Sequence, residues 1–301
     1  MKQAMKQAMN LQLFAVDPNM IVSASLERVR EVDFTERFSR GIDTLMNMLG
    51  VTRMIQKKAG EVLRAYSVEG TLEDGTVAEG AVIPLSKYRT KFEPIGEAEL
   101  KKWRMQTTAE AISEKGFGQA VNDTSDKMVS DIQKRIRTKF VSFLATGTST
   151  ATGTGLQACM AQVWGQLQVL WEDTSINAVY FMNPLDIADY LGDAKIISQT
   201  AFGMRYIENF LGIGTVIIAN DIPKGTMYAT PVQNIVLYYI PVSSADMEIF
   251  DLTTDRTGLI GVHTGPTRDN MSVETVAASG VGLFAEQLAG VVVGTIDAVG
   301  A

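Results

Sequence analysis

The chain has 301 residues, of which 46% are apolar, with a formal net charge of −7 and a pI near 4.9. This length and apolar content suffice for one large domain or two ordinary ones with a substantial core. The acidic balance argues against a dedicated nucleic-acid-binding domain, which usually presents a basic field, but it leaves passive contact through local basic patches open.

The single cysteine and the hydropathy pattern exclude further classes. Cys159 excludes an intrachain disulfide, and its apolar helical context predicts a small buried side chain in a chain made in a reducing cytoplasm. The apolar stretch near the N-terminus is too short and too polar for a signal peptide. The apolar run Val281–Val299 contains charged residues and several glycines, which predicts buried strands and not a membrane helix.

The N-terminal region predicts an arm followed by a helix. Residues 1–33 are weakly periodic, which predicts an extended arm with a short helix near Ser23–Val32. The tetrad Lys-Gln-Ala-Met occurs twice in residues 2–9, which leaves open whether the chain starts at Met9 or has a processed N-terminus. Asp33–Gly50 predicts a second helix, capped by Asp33 or Thr35 and ended by Gly50.

The segment Leu63–Ile95 predicts a long β-hairpin. Its outgoing strand is Val62–Val68, and its return strand, Lys87–Glu93, alternates with period two and ends at Pro94. Tyr88, Thr90 and Phe92 share one face of the return strand, and Lys87, Arg89 and Lys91 share the other. Because so few apolar residues lie near its tip, we expect this hairpin to lie on a neighbouring subunit.

The charges of this hairpin are segregated, with an acidic tip and a basic return strand. They can belong to a solvated loop whose charges only maintain solubility, or they can meet opposite charges on adjacent subunits. In the second case they would set register more than strength, since a single exposed pair contributes only ~0–1 kcal/mol. The candidate inter-subunit contact residues are Glu69, Glu73, Asp74, Glu79, Lys87, Arg89 and Lys91.

A second distinctive element is a long amphipathic helix at about Gln119–Ala145. One stripe is apolar and the opposite face is charged, with acidic residues early and basic residues late, as the helix dipole favours. Such a helix spans roughly 40 Å. The preceding segment Glu97–Arg104 predicts a short helix or turn with Trp103 as an anchor.

Gly147–Gly155 predicts a linker at a domain boundary, because its glycine-rich composition lacks the Gly-Lys-Ser/Thr ending of a phosphate-binding loop. A mixed α/β module follows and ends near Gly261. Two late strands, Met271–Ala278 and Val291–Asp297, can return to the first half of the chain. The elements predicted for the module are helices Gly155–Trp171 and Pro184–Leu191, strands Ala178–Met182, Gly214–Ala219, Met227–Ala229 and Met247–Asp251, and an apolar segment Gln233–Ile240 of either type.

The residues that common catalytic sites require are scarce. His263 is the only histidine, and no Gly-x-Ser-x-Gly elbow accompanies it. One histidine and one cysteine cannot form a typical zinc site. A glycosidase-type pair of distant carboxylates stays open. The prediction is therefore a non-enzyme with no catalytic, cofactor-binding or metal-binding residue.

Several segments resemble, in order along the chain, the major capsid proteins of tailed phages, which have the HK97 fold. The resemblance covers most of residues 9–297, and its motifs are structural and not catalytic. The segments are Met9–Ala15 (MNLQLFA), Val179–Pro184 (VYFMNP), Asp221–Thr230 (DIPKGTMYAT) with Asn234–Tyr239, and Glu274–Val276 with Gly290–Ile296.

This resemblance implies an α+β, HK97-like capsid fold with an arm, an extended hairpin loop, a peripheral domain and an α/β axial domain. The implied divisions are an N-terminal arm (1–33), the first part of the peripheral domain (34–59), the extended loop (60–95), the peripheral domain with its spine helix at 119–146 (96–150), the axial domain (151–262) and the closing strands of the peripheral domain (263–301).

The implied function is that of a structural subunit of an icosahedral bacteriophage capsid, forming pentamers and hexamers around a double-stranded DNA genome. The implied partners are further copies of the chain, a portal protein and DNA bound non-specifically, with no membrane. Too few residues precede the arm for the long scaffolding segment of some family members, so a separate scaffolding protein is expected. The expected location is the virion, after assembly in the host bacterial cytoplasm.

Two alternative functions and two further details stay open at this stage. An encapsulin-like nanocompartment would share the fold but package protein cargo, and a soluble α/β enzyme belongs to a different class. A decoration protein on the outside, and covalent crosslinking of Lys87 or Lys91 to Asn270, stay open as well.

Overall fold

A computed structural model describes residues 23–171, 176–193, 198–243 and 245–297. The helices are α1 (Ser23–Leu49), α2 (Ala109–Lys115), α3 (Phe117–Leu144), α4 (Leu156–Leu170) and α5 (Pro184–Asp193), with short 3-10 helices at Val232–Asn234, Ala245–Phe250 and Leu288–Gly290. The strands are β1 (Met54–Gln56), β2 (Val62–Thr71), β3 (Lys87–Glu97), β4 (Lys101–Thr108), β5 (Ser149–Thr154), β6 (Ala178–Met182), β7 (Gln199–Ala201), β8 (Met204–Phe210), β9 (Gly214–Ile218), β10 (Thr226–Pro231), β11 (Ile235–Tyr239), β12 (Thr253–Thr254), β13 (Ile260–Thr267), β14 (Ser272–Ser279), β15 (Gly282–Ala285) and β16 (Val292–Asp297).

These strands form four sheets. The largest has seven strands in the order β5-β16-β10-β6-β9-β8-β7, and a four-stranded sheet has the order β12-β13-β14-β4. A three-stranded sheet joins β1, β11 and β15, and the hairpin β2-β3 stands as a sheet of its own. Helices and sheets together make this an α+β fold, as the sequence predicts.

Strand β6 lies between two hydrophobic cores, which explains why all five of its residues are buried. Val179 and Phe181 face the core that α1 and α3 share, and Phe181 meets Phe140 of α3 edge-on at 5.7 Å between ring centroids. Tyr180 and Met182 face the other way, into the core beneath α4. A strand covered on both faces is apolar at every position, because successive side chains point to opposite sides.

The long helix α3 buries one stripe and exposes its charged face, as predicted. The buried positions are Val121, Val129, Ile132, Ile136, Phe140, Val141 and Leu144. Among the helices of the described ranges, none combines the length and apolar composition that a membrane crossing needs.

Several further elements agree with the sequence-based predictions. The hairpin, α4, β6, α5, β9, β10, β14 and β16 all lie where they were expected. Asn183 caps α5, because its Oδ1 accepts a hydrogen bond from the N–H of Leu185 at 2.8 Å. The late strands do return to the first half of the chain, since β14 pairs with β4 and β16 pairs in parallel with β5.

The prediction of two helices separated at Asp33 is wrong, because α1 is continuous from Ser23 to Leu49. Asp33 does not cap a new helix but pairs with Arg37 at 3.0 Å, one turn later. Glu31 secures the early part of α1: its buried carboxylate accepts hydrogen bonds from the Thr264 N–H and the Thr253 hydroxyl. Residues 1–22, with the predicted arm and the Met9 question, lie outside the described residues.

Two segments, one predicted as a short helix or turn and the other as a linker, contain strands. In place of a helix or turn at Glu97–Arg104, β4 begins at Lys101 and pairs with β14, and its alternate residues Lys101, Trp103 and Met105 turn inward. In place of a linker at Gly147–Gly155, β5 extends the seven-stranded sheet beside β16. Glu97–Arg104 is rich in residues with weak strand propensity, and glycines interrupt the threonine-rich segment 147–155. In both segments, pairing with a distant strand decides the structure.

Two smaller predictions are also wrong. Pro94 does not end the return strand: β3 continues to Glu97, with a register shift opposite Leu63 and Arg64. Proline is tolerated there because β3 is an edge strand, on which an absent N–H interrupts no second ladder. The strand predicted at Met247–Asp251 is a 3-10 helix, and its Ile249 and Phe250 lie exposed at the surface.

Candidate assembly surface

The hairpin β2-β3 is attached to the rest of the subunit only near its base. Leu63 and Ala98 are buried there, and the N–H of Tyr66 donates to the Glu286 carbonyl at 3.0 Å. Between Val68 and Phe92, the hydrogen bonds and ion pairs that the structure describes all stay within the hairpin. Among the residues that the structure describes, the outer part of the hairpin therefore has no hydrogen bond or ion pair to the rest of the subunit.

One residue anchors both the base of the hairpin and the strand beside it. The Glu286 carboxylate accepts two hydrogen bonds from the Arg53 guanidinium, at 2.6 and 2.8 Å, and Glu286 is 13% exposed. The hydrogen bond to Glu286 raises the pKa of Arg53. The carbonyl of Glu286 also accepts the hydrogen bond from the Tyr66 N–H. The bidentate Arg53–Glu286 pair therefore fixes the orientation of the hairpin at its base.

The hairpin has two chemically different faces. Directly opposed residues of an antiparallel pair point to the same side, so Tyr66 and Phe92 share one face with Val68 and Tyr88. We call these four residues the aromatic face. Val68 and Tyr88 are each 59% exposed and Phe92 is 62% exposed, so the subunit leaves this face largely uncovered.

The seven predicted contact residues all lie on the hairpin, and the structure pairs two of them with each other. Lys91 Nζ lies 2.6 Å from the Glu69 carboxylate, and Glu69 stands opposite Arg89 in the ladder. No carboxylate of the described residues pairs with Lys87 or Arg89. The basic strand therefore neutralises part of its charge within the hairpin.

The acidic tip is ordered by local hydrogen bonds. The Glu73 N–H donates to the Ser86 hydroxyl at 3.0 Å, and the Thr76 N–H donates to the Asp74 carboxylate at 2.9 Å. The hydrogen bond from the Thr76 N–H has the largest effect on the pKa of Asp74, which it lowers, and a hydrogen bond from the Thr76 hydroxyl lowers it further. Glu79 lies in a turn that the Ala81 N–H closes on the Ala78 carbonyl at 3.0 Å.

The tip also carries apolar side chains that sequence reasoning did not assign to a contact. Val82 is 93% exposed and Leu85 is 92% exposed, with Leu72 and Ile83 also well exposed. The signal was present in the run Ala81–Leu85, which is apolar apart from its proline, next to acidic residues. Exposed apolar side chains concentrated in one projecting segment are typical of a surface that a partner covers.

Sequence reasoning missed a second charged feature, between α3 and β4, because the Glu97–Arg104 segment was expected to be a short helix or turn. It is an open groove of about 670 Å³ lined by Lys101, Trp103, Lys134, Arg135 and Lys139, which we call the cationic groove. Lys101 is half-buried, and burial together with the charges of Lys139 and Arg135 lowers its pKa, although Glu99 opposes this.

The cationic groove contains more positive than negative charge. Lys139 pairs with Glu99 at 3.0 Å, and the Asp131 carboxylate pairs with Lys127 at 2.6 Å. Lys101, Lys134 and Arg135 have no ion-pair partner among the described residues. Three cations without local partners around a half-buried tryptophan make this groove a candidate receptor for an anionic group.

The residues that catalysis would need are dispersed or occupied. His263 Nδ1 lies 3.2 Å from the Asp251 carbonyl and 3.9 Å from the Glu31 carboxylate, with no serine in the described contacts of its ring. Cys159 lies on the buried face of α4. In the part of the chain that the structure describes, no three His, Cys, Asp or Glu side chains are grouped to hold a metal ion.

No protein-family model matches this sequence, and no curated protein is similar to it. Solved structures are similar in fold. The capsid of cyanophage A-1(L) matches with a TM-score of 0.53 and 11% identity, over 85% of this chain and 93% of that one. The SrpI encapsulin complex from Synechococcus elongatus PCC 7942 matches with a TM-score of 0.52 and 11% identity, over 83% and 87%.

The capsid of the native GTA particle matches with a TM-score of 0.51 and 12% identity, over 84% of this chain and 90% of that one. Identities this low carry information about the fold alone. Each of these similarities covers more than four fifths of both chains. The chain therefore has the HK97 fold, which these capsids and this encapsulin share.

Proposed function

We propose that this chain is the structural subunit of an icosahedral bacteriophage capsid, which assembles into pentamers and hexamers and encloses a double-stranded DNA genome. The observation that carries the proposal is the hairpin, which projects an uncovered aromatic face and an acidic, apolar tip from a subunit with the HK97 fold. A monomeric protein seldom leaves such surfaces in water.

The subunit geometry suggests how assembly proceeds. Each subunit buries its own cores and extends its hairpin to a neighbour, where the aromatic face loses its contact with water. Specific interfaces typically bury about 1,200–2,000 Å² in total. Because every subunit both gives and receives a hairpin, many modest interfaces add up around a closed shell.

The domain divisions belong to the same proposal. Residues 1–33 would form the arm and 60–95 the extended loop, the peripheral domain would comprise 34–59, 96–150 and 263–301, and 151–262 would form the axial domain. The further partners are a separate scaffolding protein, a portal protein, the packaged DNA and, where present, a decoration protein. The shell would assemble in the bacterial cytoplasm and persist in the virion.

An encapsulin-like shell is the second candidate, because the SrpI encapsulin complex is as similar in fold as the cyanophage capsid. The two candidates differ in cargo. Particles purified from the native host would contain double-stranded DNA in the first case and a packaged protein in the second.

Electron microscopy of the purified chain, alone and with a scaffolding protein, tests the proposal. We expect closed, uniform particles with five- and six-fold clusters of subunits. A chain that stays monomeric under all assembly conditions, as measured by light scattering, would contradict it.

A further inference from the structure

We propose that the unassembled chain forms a two-fold dimer through β5, the strand at one edge of the seven-stranded sheet. The occupant of this edge is a second copy of the chain, which pairs its own β5 in the antiparallel direction. Such a dimer goes beyond the proposed function, because it concerns the free subunit and is testable whether or not the chain builds a shell.

The backbone of β5 has unused hydrogen-bonding groups on one side, which we call the open edge. β5 is the first strand in the order of its sheet and pairs with β16. Directly after β5, the Gly155 N–H donates to the Asp297 carbonyl of β16 at 2.9 Å. Because successive residues of a strand direct their backbone groups to opposite sides, those of Thr150, Thr152 and Thr154 are directed away from β16. Among the described residues, no hydrogen bond reaches these groups.

β5 lacks the features that usually keep an edge strand from pairing, which are charged side chains, proline, a bulge or very short length. It has six residues, Ser149–Thr154, and its register with β16 runs without a shift. The sequence has no charged residue from Phe140 to Trp171, although 20% of the whole chain is charged. By contrast, the edge strand β4 carries Lys101, Lys102 and Arg104. The open edge is therefore suited to pairing with another strand.

The order of residues in β5 fits a copy of itself. When two copies run antiparallel with Thr152 opposite Thr152, Thr150 of each copy lies opposite Thr154 of the other. Each of these threonine pairs exchanges two backbone hydrogen bonds through the groups at the open edge. The threonine side chains lie exposed on one face, where cross-strand threonine pairs are favourable. On the other face Ala151 lies opposite Gly153, so no large side chain obstructs the contact.

Helix α4 adds an uncharged surface next to the open edge. It lies over β5 and β16, because a Cβ on Gly153 would be 2.6 Å from the Ala158 carbonyl carbon and a Cβ on Gly294 would be 3.1 Å from the Cys159 sulfur. Pairing of two β5 strands about 4.8 Å apart would place the two copies of α4 roughly 10 Å apart, the usual distance between packed helices. Ala158 and Ala161 are exposed on α4, and side chains this small permit such an approach.

The contact is small, so we expect a weak dimer. β5 is about 20 Å long at 3.3 Å per residue, and α4 is about 22 Å long at 1.5 Å per residue. One strand layer and one helix layer together are about 20 Å high, so the contact buries roughly 400 Å² per copy. A standard stable interface buries about 800 Å² per partner. The dimer should therefore dissociate on dilution.

The competing occupant of the open edge is another segment of the same chain. Residues 1–22 lie outside the described residues and include the apolar segment Leu11–Val16 (LQLFAV). A strand of different sequence would not require threonines at positions symmetric about Thr152, whereas a second β5 does. If the same chain covers the edge, neither a dimer nor a crosslink at Thr152 will form.

The first test places cysteines at the open edge of the full-length chain and oxidises it. Thr152→Cys should give a covalent dimer on a non-reducing gel, because opposed residues of a hydrogen-bonded pair have Cα atoms about 5.5 Å apart, within the range of a disulfide. Thr150→Cys is the matched control and should stay monomeric, since the two copies of residue 150 would lie four residues, or about 13 Å, apart along the strands. The native Cys159 is buried and should not contribute.

Two results of this crosslinking would overturn the inference. No covalent dimer from Thr152→Cys would exclude the pairing of two β5 strands about this residue. Equal crosslinking by Thr150→Cys and Thr152→Cys would show random collisions and no defined register. A third variant, Thr150→Cys with Thr154→Cys, should crosslink again, because these two positions lie opposite each other in the dimer.

The second test measures the dimer dissociation constant of free full-length subunits by analytical ultracentrifugation. Thr152→Pro removes the N–H that the central pair uses, and it should weaken dimerisation at least about tenfold. An edge strand tolerates proline where the N–H is directed outwards, so the subunit should stay folded. Thr152→Val is the control, which keeps the N–H and the branched side chain and should dimerise as the wild-type chain does.

Thr152→Lys serves as a second variant if the proline variant unfolds. It places two like charges opposite each other at the centre of the dimer and should cause a similar loss. A wild-type chain that sediments as a monomer at every concentration would overturn the inference, and so would dimers that neither variant weakens. Shells without dimers of the free subunit would contradict this dimer alone, whereas dimers without shells would contradict the proposed function alone.

Discussion

Cys159 illustrates how closely α4 lies on the seven-stranded sheet. Two glycines make this approach possible: a Cβ on Gly153 would lie 2.3 Å from the Cys159 amide nitrogen, and one on Gly294 would lie 3.1 Å from its sulfur. The side chain is fully buried. Burial, with a smaller effect of the Asp297 charge, raises the pKa of the thiol from 9.0 to about 11.

We predict that Cys159 is protected from alkylation in the native protein. At pH 8, a pKa of about 11 lowers the thiolate fraction about 100-fold relative to a thiol of pKa 9.0, and burial excludes the reagent as well. Iodoacetamide labelling, followed by mass spectrometry, should therefore be at least about 100-fold slower in native protein than in urea. Since Cys159 is the only cysteine, every label reports this site; rapid native labelling would contradict the burial.

The same group gives a pH dependence with a defined sign. A folded-state pKa above the unfolded value means that the unfolded chain loses its proton first as the pH rises. The stabilisation from the neutral thiol is thus complete below pH 9.0 and is lost as the pH rises towards about 11.

At the scale of elements, an ion pair joins the long helix to the α/β module. Arg137 Nε on α3 lies 2.7 Å from the Asp221 carboxylate, and both side chains are largely buried, at 12% and 14% exposure. Arg137 also donates to the Gly203 carbonyl at 3.2 Å, and Thr138 donates to the same carboxylate at 3.2 Å. The Asp221 carboxylate therefore accepts hydrogen bonds from two neighbouring side chains of α3.

We predict that Asp221→Asn lowers the free energy of unfolding by about 2–4 kcal/mol, because it leaves a largely buried guanidinium without a counter-charge. Urea denaturation followed by circular dichroism measures the change. Asp131→Asn is the matched control: it removes an exposed pair with Lys127 on the same helix and should cost less than about 1 kcal/mol. Equal losses from both variants would refute a structural role for the buried pair.

The hairpin carries charges that the described part of the subunit does not fully neutralise. Of its basic residues, Lys91 already pairs with Glu69, whereas Lys87 and Arg89 have no ion-pair partner in the described structure. The positive charge of the return strand is therefore only partly neutralised within the hairpin, and the unpaired Lys87 and Arg89 lie on the face opposite to the aromatic face.

We predict that reversing Lys87, Arg89 and Lys91 together to Glu impairs shell assembly and leaves the subunit folded, because these side chains support no core. Assembly is measured by light scattering and microscopy, and folding by the melting temperature. The control exchanges the two residues of the ion pair within the hairpin, Glu69→Lys with Lys91→Glu. This double variant keeps an ion pair at that position and should affect assembly less than the triple variant does. Normal shells from the triple variant would refute the assigned role.

At the scale of the whole molecule, much of the architecture is local enough to be predicted. The apolar stripe of α3, the uniformly apolar β6 and the period-two return strand of the hairpin each identify their own secondary structure and their buried side. The ordered segments that resemble capsid proteins predicted the HK97 fold, and the similarity to solved capsids confirms it. The two-faced hairpin is likewise visible in the alternation of Tyr88, Thr90 and Phe92 with basic residues.

The rest could not be predicted because it depends on partners distant in the chain. Thr150, Thr152 and Thr154 alternate in β5, but the surrounding glycines favour a linker, and pairing with β16, some 140 positions later, makes the segment a strand. The cationic groove has the same origin: Lys101 and Trp103 face Lys134 and Arg135 only because β14 holds β4 as a strand.

The sequence alone therefore determined the elements whose burial pattern repeats within a few residues, and with them the fold class and the projecting hairpin. The tertiary structure decided which charges remain without a partner. Glu69 and Lys91 neutralise each other across the hairpin, while Lys101, Lys134 and Arg135 lie together with no ion-pair partner among the residues that the structure describes. The physical reason is that secondary structure follows short-range periodicity, whereas charge balance follows distances between side chains that only folding brings together.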